Sequence, residues 1–178
     1  LLVCEERPLV ALTDDIEARY ALDEVWNDQG VRFCLEQAQW KFAMRSSKLS
    51  YETAVTPDFG LRRAFAKPSD WVLTSAVCQD EYFVTPLTNY ADEIQYWFAD
   101  LDEIYVKYVS DSADYGNNLA HWPATFTEYV KEYFASKIIL KLTSDADRRN
   151  AIVHPRTGSL ARARLEAMNK DAMAGPAK

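Results

Sequence analysis

The sequence predicts a mainly α fold: a helical bundle with a small inserted antiparallel β region of two hairpins and an extended helical C-terminal segment. Three observations lead to this prediction. Apolar residues recur at helical spacing towards both ends of the chain, and they alternate at strand spacing in its middle. Hydrophobic residues make up 48% of the 178 residues, enough for a folded core. We expect the bundle with its β insertion over residues 1–144 and a helical docking arm over 145–178, within the same domain or appended to it.

Two helices are expected at the N-terminal end. Thr13 can cap the first, whose apolar stripe continues to the break at Asn27-Asp28-Gln29-Gly30. The second, over residues 31–44, is apolar on two sides, and we therefore expect it to be the central helix of the bundle. The stripe of the first helix consists of Ala18, Ala21, Leu22 and Val25.

The first hairpin follows these helices. Alternation over residues 48–55 predicts a strand, residues 56–60 have the composition of a turn, and residues 61–66 form the returning strand. Ser69 can then cap a brief helix that begins at Asp70. The β region is therefore expected to start with a local strand pair and a short helix.

The second hairpin is expected from alternation in residues 94–98 and 104–108, around a turn at 100–102. Large apolar groups lie on both of its faces, with Trp97 on the face opposite Ile94. Both faces of this hairpin must therefore be covered, and the second face is covered either by a neighbouring molecule or by the core of the chain itself.

The C-terminal part is expected to be helical. Pro123 suits the first turn of a long helix with apolar residues at helical spacing. Ser144 or Asp145 can cap the next helix, which is interrupted at His154-Pro155. A last, Ala- and Arg-rich helix follows over residues 160–173.

The charge of the chain is unevenly distributed. A net charge of −7 has the wrong sign for a protein that coats nucleic acid. Residues 1–144 hold 13 basic and 23 acidic side chains, whereas residues 145–178 hold 7 basic and 4 acidic ones. The basic arm is either a docking segment or a solvated helix face.

The cysteines and the N-terminus predict a soluble, non-secreted chain. Cys4, Cys34 and Cys78 include no C-x-x-C spacing, which favours reduced thiols over disulfides or zinc. No apolar run is long enough to cross a membrane, and no signal-peptide pattern is present. Because the first residue is Leu, we expect a processed or trimmed start.

The sequence contains no recognisable catalytic, cofactor or metal motif. The glycine-rich phosphate loops and the G-x-S-x-G elbow do not occur, and His121 and His154 have no helical partner four residues away. The stretch 111–116 fails as a calcium loop because Ala113 occupies a ligand position. We therefore expect no cofactor and no enzyme activity.

The motifs, in chain order, resemble those of tailed-bacteriophage head-to-tail adaptor proteins of the tail tubular protein A (gatekeeper) type. The similarity covers most of the chain, although each motif is short. The segments that carry it are Thr13-Asp14-Asp15, Trp40-Lys41-Phe42-Ala43-Met44-Arg45, Lys67-Pro68-Ser69-Asp70-Trp71, Ile104-Tyr105-Val106-Lys107-Tyr108-Val109, Trp122-Pro123, Thr143-Ser144-Asp145 and Asp171-Ala172.

The resemblance implies a structural role in the virion, at the head–tail junction, after assembly in the host cytoplasm. Such adaptors form a ring, usually of twelve copies, between the portal protein and the tail nozzle or stopper. Double-stranded DNA passes through the lumen during ejection without specific binding, and an acidic body would repel its phosphates. No cofactor, catalysis or membrane is implied.

The resemblance also assigns two groups of candidate residues. The portal-docking candidates of the basic arm are Arg148, Arg149, Arg156, Arg162 and Arg164. The candidates for a subunit or tail interface are Trp71, Trp97, Tyr105, Lys137 and Lys141. The alternative is a free-standing, phage-encoded helical interaction or regulatory module that binds one partner at low copy number. An enzyme ranks third, supported by scattered carboxylates alone.

Overall fold

A computed structural model of the chain describes residues 1–4, 10–11, 13–14, 16–58 and 60–174. The chain divides into two compact units: a helical unit formed by Leu1–Ala38 and Leu119–Lys178, and a β unit formed by Gln39–Asn118. Helices account for 42% and strands for 20% of the structure. The predicted mainly α class with a small β insertion is therefore wrong, and the chain is an α+β protein.

The helical unit is organised around one long helix. This helix, α3, contacts each of the other four α-helices described in the unit, and it is buried on most of its sides. The prediction that the second helix is central is therefore wrong. The helices are α1 (Glu17–Asn27), α2 (Gly30–Leu35), α3 (Ala124–Thr143), α4 (Ala146–Val153) and α5 (Ser159–Met173).

The ends of the C-terminal helices confirm the predicted signals. Pro123 occupies the N-cap position of α3, and Ser144 ends that helix in the left-handed conformation, with φ of 52°. The carboxylate of Asp145 caps α4 by accepting a hydrogen bond from the backbone N–H of Arg148 at 2.9 Å. The segment 145–174 packs on α3, so the predicted boundary at residue 144 lies inside the helical unit.

The N-terminal helices are shorter than predicted. The break at 27–30 is confirmed, because α1 ends at Asn27 and Gln29 is left-handed with φ of 60°. Ile16, and not Thr13, is the N-cap residue of α1. The second helix ends at Leu35, and the β unit begins at Gln39. The predicted helix over 31–44 is too long because its apolar residues belong to two different units.

The β unit contains two three-stranded antiparallel sheets. In the first, β6 is central and pairs with both β1 and β3; in the second, β5 pairs with both β2 and β4. The strands are β1 (Met44–Ser50), β2 (Arg63–Ala66), β3 (Trp71–Cys78), β4 (Ala91–Asp92), β5 (Tyr96–Ala99) and β6 (Glu103–Ser110).

Both predicted hairpins and the brief helix after Ser69 are wrong. The turn at 100–102 connects β5 of one sheet to β6 of the other, and β1 pairs with β6 and not with the following strand. The strand β3 begins at Trp71, where the helix had been expected. Alternation locates strands but does not choose their partners, because pairing depends on the burial of whole sheet faces.

The core of each unit is apolar. The β unit buries Phe65, Trp97, Ile104 and Tyr108 together, and the helical unit buries a cluster that includes Ile138 and Ile139 of α3. Cys4, Cys34 and Cys78 are buried and form no disulfide with one another. Within the described residues, no helix has the length and apolarity that a membrane span requires. The predicted stop at Gly175-Pro176 lies outside the described residues.

Candidate functional site

The helical unit contains a cavity of about 410 Å³, which we call the docking cavity. Residues of α2, α3, α4 and α5 line it, together with the linkers that follow α2 and α4. Its volume lies within the range of protein binding sites, about 300–1,000 Å³. Apolar side chains such as Val153 and Leu160 form part of its lining.

One wall of the docking cavity is aromatic. Phe33 of α2 and Tyr133 of α3 stack with their ring centroids 4.7 Å apart and their planes at 15°. The ammonium group of Lys137 lies 5.3 Å from the centroid of the Tyr133 ring. A cation over an aromatic face is a favourable contact that leaves the ammonium group accessible to a further acidic partner.

Three cations line the docking cavity, and we call them the basic rim: Lys137, Arg149 and Arg164. Arg164 donates from Nη1 to Oε1 of Gln37 at 3.4 Å. Within the described residues, none of the three forms an ion pair with a carboxylate, and no Asp or Glu lines the cavity. The arrangement can therefore receive a carboxylate that is attached to an aromatic or aliphatic group.

The titratable groups in the aromatic wall and behind it are neutral. Burial raises the pKa of the Cys34 thiol to about 12, although its hydrogen bond with Tyr129 lowers it in part. Burial also raises the pKa values of the Tyr129 and Tyr133 phenols. At neutral pH these three groups carry no charge, so the charge of the cavity lining comes from the basic rim.

The structure brings together only some of the predicted docking residues. Arg149 and Arg164 share the docking cavity with Lys137, which was an interface candidate. Arg148 donates to the backbone oxygen of Cys4 at 3.3 Å and lies 3.9 Å from Asp145, so it has internal partners. Arg156 and Arg162 are exposed outside the cavity.

Lys141, another interface candidate, has an internal partner. Its ammonium group donates to the carboxylate of Glu24 and so links α3 to α1. The two lysine candidates of α3, Lys137 and Lys141, are both exposed, although each lies within one helical turn of a buried isoleucine.

The three aromatic interface candidates lie in the β unit. Trp97 is 0% exposed, so for this residue the intramolecular alternative is the one observed. Trp71 packs edge-on against it at 6.4 Å, and the Nε1 atoms of both rings donate to Oγ1 of Thr74. Tyr105 is half-buried, with the Lys48 ammonium group 5.9 Å from its ring centroid.

Asp70 is a structural centre, although the sequence pattern around it predicts only the start of a brief helix. Its carboxylate accepts hydrogen bonds from Arg45 Nη1 at 2.8 Å, from Tyr108 Oη at 3.2 Å and from Ser110 Oγ. Burial on its own would raise the pKa of Asp70, but the hydrogen bonds from Ser110 and Arg45 outweigh it and hold the pKa below its ordinary value. Asp70, Arg45 and Tyr108 belong to three different motifs of the resemblance, and hydrogen bonds join them here. The order of these motifs along the chain was the signal in the sequence that could have pointed to Asp70.

A second cavity in the helical unit, of about 550 Å³, is apolar. Trp26 and Phe134 line it together with Leu1. Its charged lining residues, Glu128 and Lys131, pair with each other at 2.7 Å. Among the described residues, the charged side chains that line this cavity compensate each other, so what it offers a partner is mainly apolar surface.

The fold and the docking cavity define an α+β protein whose candidate site is suited to binding an acidic group. No group of three or more His, Cys, Asp or Glu residues within the described parts of the chain could hold a metal ion. No protein-family model and no curated protein matches the chain.

Proposed function

We propose that the chain is a structural head-to-tail adaptor of a tailed phage or phage-like virion. It assembles as a ring that joins the portal to the tail, and genomic DNA passes through its lumen. The observation that carries this proposal is the meeting of three family-like motifs at Asp70. Arg45, Asp70 and Tyr108 come from three separate motifs, and hydrogen bonds join them across the first sheet.

This convergence supports an architectural role for the motifs. Arg45 lies on β1, Tyr108 lies on β6, and Asp70 immediately precedes β3, so one carboxylate links all three strands of the sheet. Hydrogen bonds of this kind maintain the shape of the module, as a structural part requires. The proposed adaptor accordingly performs no reaction.

The charge distribution also supports the proposal. Residues 39–118, the β unit, contain 12 acidic and 7 basic side chains. Acidic surface repels the phosphates of DNA, so a duplex would slide past without being held. Arg156 and Arg162 are exposed, and no carboxylate pairs with them within the described residues. We assign these two arginines to contact with an acidic portal surface.

The test uses the full chain and the portal ring encoded in the same genome. Electron microscopy of the mixture should show an additional ring on the portal, and quantitative mass spectrometry of purified particles should find about twelve copies, the number the resemblance implies. A chain that stays monomeric, ignores portal rings and is missing from particles would contradict the proposal. Low copy number with one tightly bound host protein would favour the regulatory alternative.

A further inference from the structure

The loop between β3 and β4, residues 79–85, is held in one shape by a single carboxylate. Asp80 accepts hydrogen bonds from the backbone N–H groups of Tyr82 at 3.0 Å, Val84 at 3.2 Å and Thr85 at 2.7 Å. The backbone N–H of Gln79 donates to the oxygen of Thr85 at 3.1 Å and closes the base of the loop. We call this segment the Asp80 loop.

The Asp80 loop presents apolar side chains to solvent. Tyr82 is 77% and Val84 is 76% exposed, and Glu81 beside them is also exposed. Phe83 between them is left-handed, with φ of 56°, and the Lys107 ammonium group lies 4.5 Å from its ring centroid. Glu81 has no ion-pair partner within the described residues. A loop that is already ordered loses little conformational entropy when it binds.

The Asp80 loop and the docking cavity are complementary. The loop exposes one aromatic side chain, one aliphatic side chain and one carboxylate that forms no ion pair within the described residues. The cavity offers an aromatic wall, apolar lining and three cations without carboxylate partners. The carboxylate of Glu81 is opposite in charge to the guanidinium groups of Arg149 and Arg164, so it can form ion pairs with them. The ring of Tyr82 can pack on the Phe33–Tyr133 stack and can accept a cation–π contact from Lys137.

We propose that the Asp80 loop of one copy docks into the docking cavity of a second copy of this chain. This inference rests on the ring assembly in the proposed function and names its contact. The two surfaces differ, so the contact is head-to-tail: every copy uses its loop towards one neighbour and its cavity towards the other. Contacts of this kind produce a closed ring when the rotation between copies closes.

The experiment uses two double variants of the full chain. The loop variant is Glu81→Lys with Tyr82→Ser, and the cavity variant is Arg149→Glu with Arg164→Glu. Native mass spectrometry and sedimentation velocity measure the self-association of each variant and the association in their equimolar mixture. The same methods measure how many copies of each variant assemble on the portal ring. Matched controls are Glu93→Lys, an exposed acid of the β unit, and Lys170→Glu, an exposed lysine of α5 outside the cavity. Circular dichroism verifies that each variant is folded.

We expect the wild type and both controls to form oligomers, and each double variant to associate at least tenfold more weakly. The mixture of the two double variants should form heterodimers and nothing larger, because one intact loop and one intact cavity remain between the two chains. Self-association of either double variant at the wild-type level would overturn the inference, as would a mixture without heterodimers. A wild type that is monomeric both free and on the portal would overturn it too.

The outcomes separate this inference from the proposed function. Portal binding that persists while both double variants still assemble normally refutes the loop–cavity contact and leaves the adaptor role intact. Assembly that depends on the loop and cavity in a chain that never binds the portal refutes the adaptor role and supports the contact.

Discussion

Arg45 on β1 and Asp70, immediately before β3, are joined by a hydrogen-bonded ion pair of 2.8 Å, which links the two outer strands of a three-stranded sheet. The central strand β6 contributes Tyr108 and Ser110 to the same carboxylate. A carboxylate with several charge-assisted and hydroxyl donors is strongly held, and its loss leaves those donors without an acceptor.

The first prediction concerns Asp70. Asp70→Asn should lower the free energy of unfolding by about 1–3 kcal/mol, because Arg45 loses its charged partner. Urea denaturation measures this change. Asp114→Asn, at an exposed acid of the same unit, is the matched control and should change the free energy by less than about 0.5 kcal/mol. Equal stability of Asp70→Asn and the wild type would contradict the central role of this carboxylate.

The pH dependence of the same variant has a defined sign. The folded-state pKa of Asp70 is lowered, so the ionised group stabilises the fold above its ordinary pKa, and that stabilisation is lost as the pH falls through the folded-state value. The stability difference between wild type and Asp70→Asn should therefore shrink below about pH 4. A difference that stays constant down to pH 2 would contradict this assignment.

The second prediction concerns Lys67 of the β unit. Its ammonium group lies 3.6 Å from the Trp71 ring centroid and 5.1 Å from that of Trp97, and it pairs with Asp92. The side chain is only 5% exposed. Lys67→Met should lower the free energy of unfolding by about 1–3 kcal/mol, a range that allows for the partial exposure of Asp92 to solvent. The variant should also change the tryptophan fluorescence of the folded state.

The control for Lys67 is Lys131→Met, which removes an exposed pair with Glu128 on α3. Lys131→Met should lower the free energy of unfolding by no more than about 0.5 kcal/mol and leave the tryptophan emission spectrum unchanged. If both variants lose the same stability, the contacts of Lys67 with the two tryptophans do not contribute to folding.

The third prediction concerns Gly30 at the start of α2. A Cβ atom there would lie 2.6 Å from the backbone oxygen of Val25 and 3.1 Å from the Phe134 ring. Gly30→Ala should therefore lower the free energy of unfolding by about 1–3 kcal/mol, which thermal or urea unfolding measures. Gly60→Ala is the control, because apart from Gly60 and its chain neighbours no heavy atom of the described residues lies within 4 Å of the added Cβ. This variant should leave the free energy of unfolding unchanged or slightly raised.

The fourth prediction concerns the thiols. Burial raises the pKa of Cys34 to about 12 and also raises that of Cys78, and all three cysteines are buried. Because the thiolate is the reactive form, the native chain should resist a thiol-specific reagent at pH 8. All three thiols should react in guanidinium chloride. Rapid reaction of Cys34 in the native chain would contradict its described environment.

The fifth prediction concerns the exposed arginines of the C-terminal arm. Arg156→Glu with Arg162→Glu should weaken attachment to the portal ring, with the largest difference from wild type at low ionic strength, because salt screens exposed charges. Co-sedimentation at several salt concentrations measures it. The control Lys131→Glu reverses an exposed charge on α3. Unchanged attachment of the arginine variant at every salt concentration would remove these residues from the proposed portal contact.

Much of the helical unit could be predicted from local signals. The break at 27–30, the start of α3 after Pro123 and the Asp145 cap are properties of neighbouring residues, since they depend on backbone conformation and on hydrogen bonds within one turn. The β unit could not be predicted in the same way. The turn at 100–102 resembles a hairpin turn, yet it leads from one sheet into the other.

The candidate site shows the same division. Residue order alone gives the charge of the C-terminal arm, the lack of recognisable catalytic motifs and the identities of the aromatic residues. Three further properties depend on the folded chain: Trp97 is buried, the side chains of Arg149, Arg164 and Lys137 share one cavity, and the three motifs meet at Asp70. Local backbone preferences act over a few residues, whereas burial and hydrogen bonding between distant segments depend on how complete helix and sheet faces pack.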